Sequence, residues 1–313
     1  MNRQVQFGWR VPDFPVDGSR GKAFVNQIAA TLEAVRGRFD SAWLADHFVP
    51  WASFQDPATD TYEGWTSLAY LAGRFPDFKF GTVVLSQSYR SPALLAKMAA
   101  TLQTLTGGRL ILGIGAGWKH DEYRAYGYDF PRDATRIRQL GEAVQIIRLM
   151  WTQPRATFHG RYYHIDEAIC EPKPEPLPPL LIGGGGKRLT LRVVAQHADW
   201  WNFPGGTLEN YRDLLDTLRG HCENVGRDYE SIVKTWGIEC VAIAPTQAAA
   251  LSMAQASPFY DPETSLVGTP AEVTARLQPF TALGVRHFIL RFADFPKLDG
   301  VQLFAEEVIP GFH

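Results

Sequence analysis

Short apolar runs recur along this chain, and between them lie longer stretches whose apolar residues return every three or four positions. A strand buried on both faces needs a helix to carry the chain back before the next parallel strand, so this alternation marks repeated βα units. The runs are Val5–Arg10, Ser41–Asp46, Lys79–Leu85, Arg109–Gly115, Leu180–Gly183, Asp199–Phe203, Val233–Ile243 and His287–Arg291. Eight parallel strands with covering helices predict an α/β fold, a (β/α)8 TIM barrel, whose chemistry sits on the loops after the strands' C-terminal ends. The length of 313 residues suits one such barrel, and we expect a single domain over 1–313 with an insertion at about 152–179, between strands 4 and 5.

Several helices carry their own signals. Pro92 opens a stretch to Leu102 with apolar residues at helical spacing, and Gly107 and Gly108 stop it. Asp133 to Trp151 predicts a longer helix, with Ile137, Leu140, Val144, Ile147 and Met150 as the stripe that packs on the barrel. Thr269 and Pro270 read as an N-cap and first helical position before the last strand. The insertion breaks the rhythm with the aromatic segment Thr157–His164 and the proline-rich segment Glu171–Pro179. Proline at that density cannot continue a helix or a central strand, so an extended, surface-hugging connection is expected.

The bulk numbers exclude more than they assert. With 45% hydrophobic and 20% charged residues there is material for a large core, and a net charge of −2 gives no long-range pull toward nucleic acid or an anionic membrane. Cys170, Cys222 and Cys240 are odd in number and widely spaced, which fits neither a disulfide framework nor a thiolate metal cluster. The stretch Met1–Trp9 lacks the apolar core of a leader peptide, so a cytoplasmic protein is expected.

Three places carry chemistry. The run Leu110-Ile111-Leu112 ends on Gly113, Gly115 and Gly117, with Trp118 following; glycines at a buried strand's end let backbone approach something closely, as a planar cofactor would require. Asp46 and His47 follow the second strand, where a histidine shuttles a proton near neutral pH and the adjacent acid could set its orientation. Gly183, Gly184, Gly185 and Gly186, followed by Lys187 and Arg188, lead into a helix over Leu189–His197 and expose backbone N–H groups suited to a phosphate. The trio His120-Asp121-Glu122 is read as a helix start covering a cofactor's polar tail, because consecutive residues do not face one way as metal ligands must.

Taken together the chain resembles the luciferase-like monooxygenase superfamily, barrel enzymes that use flavin mononucleotide or the deazaflavin coenzyme F420. The carriers are Phe39–His47, Gly81–Leu85, Ser91–Met98, Gly107–Trp118, Glu171–Pro174 with Ile182–Gly186, and Val267–Pro270, six matches in order over nearly the whole length. The resemblance implies His47 as the active-site histidine with Asp46 beside it, and a non-prolyl cis peptide at Val83-Val84 in a bulge that supports the ring. It further places Gly115, Ala116 and Gly117 beside the cofactor, Gly183 to Gly186 at its phosphate, and Asn202 in the same pocket. Deazaflavin-dependent sugar-phosphate dehydrogenases of the family carry a glutamate just after the fourth strand where this chain has Ala116, which counts against sugar-phosphate oxidation.

The expected activity is hydride transfer between coenzyme F420 and a small organic substrate, with Trp9, Trp65 and Trp118 lining its pocket. An FMN-dependent monooxygenase fed by a separate cofactor reductase is the alternative, and a non-catalytic flavin-binding protein a third. A metal-dependent barrel hydrolase is disfavoured because the first strand lacks His-x-His, and no metal site is expected. A homodimer is what the resemblance implies.

Overall fold

β1 (Gln6–Arg10) starts a parallel sheet that closes on itself. The structure is a computed structural model and describes residues 5–312; the first four residues of the N-terminal stretch read above, and His313, lie outside the described residues. After β1 come α1 (Lys22–Ala34), β2 (Ser41–Leu44), α2 (Gly64–Arg74), β3 (Lys79–Thr82), β4 (Leu85–Ser86), α3 (Pro92–Leu105), β5 (Leu110–Gly115), α4 (His120–Ala125) and α5 (Asp133–Thr152). The second half holds β6 (Ala156–His159), β7 (His164–Ala168), β8 (Leu180–Gly183), α6 (Thr190–His197), β9 (Trp200–Pro204), α7 (Leu208–Val225), β10 (Val233–Ile243), α8 (Gln247–Ala256), β11 (Leu266–Gly268), α9 (Pro270–Ala282), β12 (Val285–Phe292) and α10 (Asp299–Leu303).

The barrel runs β1-β2-β3-β5-β8-β9-β10-β12 and back to β1, all parallel, which is the eight-stranded (β/α)8 TIM barrel that the alternation predicts. Each of the eight apolar runs holds one barrel strand. The third run differs in being broken: β3 stops at Thr82, the Val83–Val84 peptide is cis, and β4 resumes at Leu85 to pair with the end of β5. β10 also outruns the barrel, and its end pairs with β11.

The helices follow their sequence signals. Ser91 caps α3 with Pro92 in the first turn, and Thr269 with Glu272 forms a reciprocal capping box on α9. In the insertion, the aromatic part is not a plain extended connection: β6 and β7 pair as an antiparallel hairpin, with Phe158 opposite Ile165 and the Glu142 carboxylate accepting from the N–H groups of Arg161, Tyr162 and Tyr163. The proline-rich part, lacking the donors a ladder needs, stays outside any strand.

Inside the barrel a separate apolar cluster forms from Trp43, Ile111, Leu181 and Ile289, one residue each from β2, β5, β8 and β12. Trp43 occupies this space because its strand neighbours carry no side chain: a Cβ on Gly81 of β3 would overlap its six-membered ring, and one on Gly8 of β1 would overlap its Nε1 edge. Trp43 Nε1 donates to Ser41 Oγ at 2.8 Å, and Ser41 Oγ lies 2.8 Å from His287 Nε2, so a polar chain threads the same layer. With Trp43 also donating toward His287 Nε2 at 3.3 Å, that nitrogen is an acceptor and the ring is neutral. Burial, then the charge of Lys79, lowers the His287 pKa to about 3.

Two stability outcomes follow from this packing. Gly81→Ala forces its methyl into a ring that cannot retreat and is expected to destabilise the fold by about 2 kcal/mol, whereas Gly73→Ala on the open face of α2 is expected to be neutral or stabilising by up to about 1 kcal/mol; urea unfolding of the two variants checks the pair. The second concerns pH. An unfolded chain binds the His287 proton near its ordinary 6.5 and the folded chain only near 3, so between these values the unfolded state holds more protons and stability falls as pH falls. His287→Gln is expected to flatten the fall in unfolding free energy between pH 6 and pH 5 by about 1 kcal/mol.

Candidate active site

β2 ends at Leu44, and the chain then carries Asp46 and His47 onto the C-terminal face of the barrel, where α4 packs over them. Glu122, on the first turn of α4, is fully buried and places Oε2 at 2.9 Å from His47 Nδ1. The same carboxylate accepts from the N–H groups of Phe48 at 2.9 Å and Val49 at 3.2 Å, and from the Tyr89 hydroxyl at 3.2 Å. Burial and then the Glu122 charge push the Tyr89 phenol well above its ordinary value, so it remains a donor. A carboxylate with three other donors is an acceptor toward the ring as well. His47 therefore carries its proton on Nδ1 and keeps Nε2 for chemistry.

This corrects two expectations. Asp46 does not orient His47: its carboxylate is held by Arg90, with bonds of 2.9 and 3.0 Å, and by the Ser86 N–H at 2.9 Å. Its work is to tie the end of β2 to the segment after β4, while Arg90 reaches on to Glu63 at the start of α2. Nor is Glu122 the ordinary acid of a first helical turn that the sequence leads one to expect. α4 does begin at His120, but six residues of helix lying across the β2 loop turn this acid inward. The signal available was a glutamate shortly after the fourth strand, displaced from the Ala116 position where the resemblance looked for one.

The broken third strand decides the shape of the opposite wall. Val84 projects between β5 and β8, and Cβ atoms on Gly115 or Gly183 would collide with its side chain. The close approach that these glycines permit is thus first an approach of the chain to itself. Gly117, at φ 78°, is likewise closed over by the Tyr123 hydroxyl and Ser86 Oγ. What results is a surface made mostly of backbone.

These elements surround a cavity of about 690 Å³. Of the residues singled out from sequence, Asp46, His47, Val83, Val84, Gly115, Ala116, Gly117, Gly183, Gly184, Gly186 and Asn202 line it together. Gly185 does not; its missing side chain makes room for the Phe203 ring. Trp118 lines the cavity and is 61% exposed, with its ring 5.6 Å from that of His47. Trp9 and Trp65 instead belong to the core between barrel and helices, since their positions on β1 and α2 face outward and inward, respectively, into that layer. Trp51, not foreseen, lines the cavity 6.4 Å from the His47 ring, and Ile137 of the α5 stripe does so too.

A cluster of charges, three buried and the fourth, Glu239, partly exposed, stands beside Trp51. Arg10 and Arg291 face Asp13 and Glu239: Arg291 lies 3.2 Å from each acid, and Arg10 pairs with Glu239 and lies 3.9 Å from Asp13. Burial lowers the Arg10 pKa to about 9, with Arg291 adding to the effect. Burial also works against the Asp13 charge, but Arg291 and Arg10 outweigh it and hold that carboxyl below its ordinary value.

With this geometry in place, residues 5–263 match the luciferase-like monooxygenase family. The chain belongs to that family. Among its relatives is an F420-dependent glucose-6-phosphate dehydrogenase of Kineococcus radiotolerans, 29% identical over 89% of this chain and 90% of the relative. An FMNH2-dependent dimethylsulfone monooxygenase of Pseudomonas putida is 28% identical over 70% of each. The solved structure of an F420-dependent secondary alcohol dehydrogenase with an F420-acetone adduct superposes with a TM-score of 0.84 at 21% identity, covering 99% of both chains, which is a likeness of fold.

The Glu122 network is open to direct test. Glu122→Ala leaves two backbone N–H groups and a phenol without their acceptor, and we expect a loss of about 3 kcal/mol in unfolding free energy. Glu122→Gln keeps an oxygen for those donors but turns an N–H toward the ring if it faces His47; long-range 1H–15N NMR should show the proton on Nδ1 in the native protein and a shift toward Nε2 in the variant.

Proposed function

We propose that this protein is an oxidoreductase that moves a hydride between coenzyme F420 and a small organic molecule held in the same cavity. The observation that carries this reading is the pairing of a backbone wall, Val83-Val84 with Gly115 to Gly117, with the His47 imidazole oriented by buried Glu122. A planar ring fits such a wall, because no side chain projects from the glycines and Val84 is fixed between two strands.

The residues present fit an anionic tail as well. Gly183, Gly184, Gly186 and Thr190 line the cavity where α6 begins; the Gly184 N–H is taken by the Asn202 carbonyl at 3.0 Å, and the positive end of the helix is what faces a phosphate there. Lys119 and Arg136 line the cavity too and add positive charge. When bound, the deazaflavin would supply or take up the hydride, chemistry no side chain can perform. The chain's own part is to orient, to exclude water and to handle a proton. His47 holds one proton on Nδ1 against Glu122, leaving Nε2 to take or return a second as charge develops nearby. Trp51 and Trp118 supply apolar surface on which a substrate lies out of water, and proximity within one cavity supplies much of the acceleration.

The greater reach of the F420-dependent relative, 89% of this chain against 70% for the FMNH2-dependent one, supports the deazaflavin. The second reading, a monooxygenase using reduced flavin mononucleotide from a partner reductase and O2, draws on the near-equal identity of that other relative. The His47–Glu122 pair favours either enzyme over a non-catalytic flavin carrier, which has no need of an oriented imidazole.

Titration of the protein with coenzyme F420 and with flavin mononucleotide, followed by tryptophan quenching, separates these. Saturable quenching by F420 at concentrations at least about ten-fold below those needed for flavin mononucleotide is expected. The reverse order transfers the function to the monooxygenase reading, and no quenching by either removes both.

A further inference from the structure

Both oxygens of the buried Glu122 carboxylate are used twice. Oε1 accepts from the N–H groups of Phe48 at 2.9 Å and Val49 at 3.2 Å. Oε2 lies 2.9 Å from His47 Nδ1 and accepts from the Tyr89 hydroxyl at 3.2 Å. A carboxylate offers about four lone-pair positions, so this one is filled. The Tyr89 hydroxyl is the side-chain donor that shares an oxygen with the imidazole.

Tyr89 is held in place for that contact. It follows β4, lines the cavity and is 8% exposed. Its ring centre stands 4.5 Å from that of Phe48 and 4.9 Å from those of Tyr123 and Tyr128. The Tyr128 hydroxyl donates to the Tyr89 main-chain oxygen at 3.2 Å, which fixes the backbone as well. A phenylalanine would meet the packing equally; what the hydroxyl adds is the bond to Glu122.

That bond has an electrostatic effect on the ring. A donor on a carboxylate oxygen draws on the negative charge that the neighbouring donor feels. With no phenol, Oε2 acts on the His47 ring alone and favours its doubly protonated form, in which Nε2 has a proton to give and cannot take one. With the phenol in place the pull is divided, and Nε2 stays open as an acceptor. The other charges around His47 keep their own partners: Asp13, whose charge interacts with that of His47, lies beside Arg10; Asp46 is held by Arg90; and Lys119 pairs with Asp121.

We propose that Tyr89 is a positioning residue for the proton chemistry: by sharing Glu122 Oε2 with the His47 Nδ1–H, its hydroxyl sets how readily Nε2 takes a proton. This rests on the oxidoreductase reading, in which His47 handles the proton, and names the residue that tunes it.

The test uses the full chain without cofactor and follows the His47 ring by 1H–13C NMR as pH is varied. Tyr89→Phe keeps the aromatic packing and removes the hydroxyl. It should raise the proton affinity of His47 about three-fold or more, an upward move of about half a pH unit or more in the midpoint of the His47 signal. Tyr128→Phe removes a hydroxyl from the same aromatic cluster without touching Glu122, and should leave the midpoint within about 0.2 pH units of native. Incorporation of 3-fluorotyrosine in place of Tyr89 makes a stronger donor and should move the midpoint down, a sign that loosened packing does not imitate. A smaller rise, no rise or a fall in Tyr89→Phe, an equal rise in Tyr128→Phe, or no downward move with 3-fluorotyrosine would overturn the proposal. Should Tyr89→Phe not fold, the direction of the 3-fluorotyrosine shift decides alone. Cofactor titration is scored separately: a protein that takes neither cofactor loses the oxidoreductase reading, while the His47 midpoint is still read on the cofactor-free chain.

Discussion

Two missing β-carbons hold the working face of this barrel in shape. Gly115 at the end of β5 and Gly183 at the end of β8 leave a gap between neighbouring strands, and Val84 fills it from the break between β3 and β4. Because the gap is set by main chain on both sides, Val84 has little room to move and the wall it completes is rigid. Deeper in the barrel the same device recurs, with Gly8 and Gly81 flanking Trp43. Side chains from one strand occupy the places that adjacent strands vacate, which is how a narrow eight-stranded barrel is filled without voids.

Around that wall, the charged side chains of three sets meet matched partners. Glu122 has the His47 ring, two backbone N–H groups and a phenol; Asp46 has Arg90 and the Ser86 N–H; Arg10 and Arg291 have Asp13 and Glu239. Each set also joins separate elements. Glu122 clips α4 to the loop after β2, and Asp46 clips that same loop to the segment after β4, so the imidazole is located from two directions. Removing one member would strand the others, since a buried group without its partner costs more than the pair contributes. Precision at His47 is therefore a property of the network and not of its own rotamer alone.

The architecture was legible because burial dictates a period. Strands buried on both faces must be apolar throughout, and each of the eight runs so marked holds a barrel strand. The β6–β7 hairpin was not legible: its residues are mostly exposed, so no burial pattern marked it, and the prolines that follow dominated the reading. In the site, glycines betrayed the wall, yet sequence alone could not say that their close neighbour is Val84. Glu122 was missed for a related reason. An acid in a helix's first turn satisfies the helix dipole wherever it sits, and only the packing of α4 across the β2 loop shows that this one faces inward. Asp46 failed in the opposite sense, since adjacency in sequence to His47 says nothing of where either side chain points.

A division of labour follows from where these parts sit on the barrel. The wall suited to a planar ring comes from consecutive strands, β3 through β8, and is built largely of backbone, which tolerates little substitution. The charge cluster comes from β1, β10 and β12 and the turn after β1, neighbours on the other side of the barrel, and is built of side chains. Side chains can be exchanged without moving the strands that bear them, whereas the glycine positions cannot accept a Cβ without displacing Val84. One half of the barrel rim is thus constrained by backbone packing, and the other by the pairing of its charges, which can be exchanged only together. Relatives named for substrates as unlike as a sugar phosphate and a sulfone are compatible with a common frame of this kind, because side chains carried on fixed strands can differ while the backbone wall stays as it is.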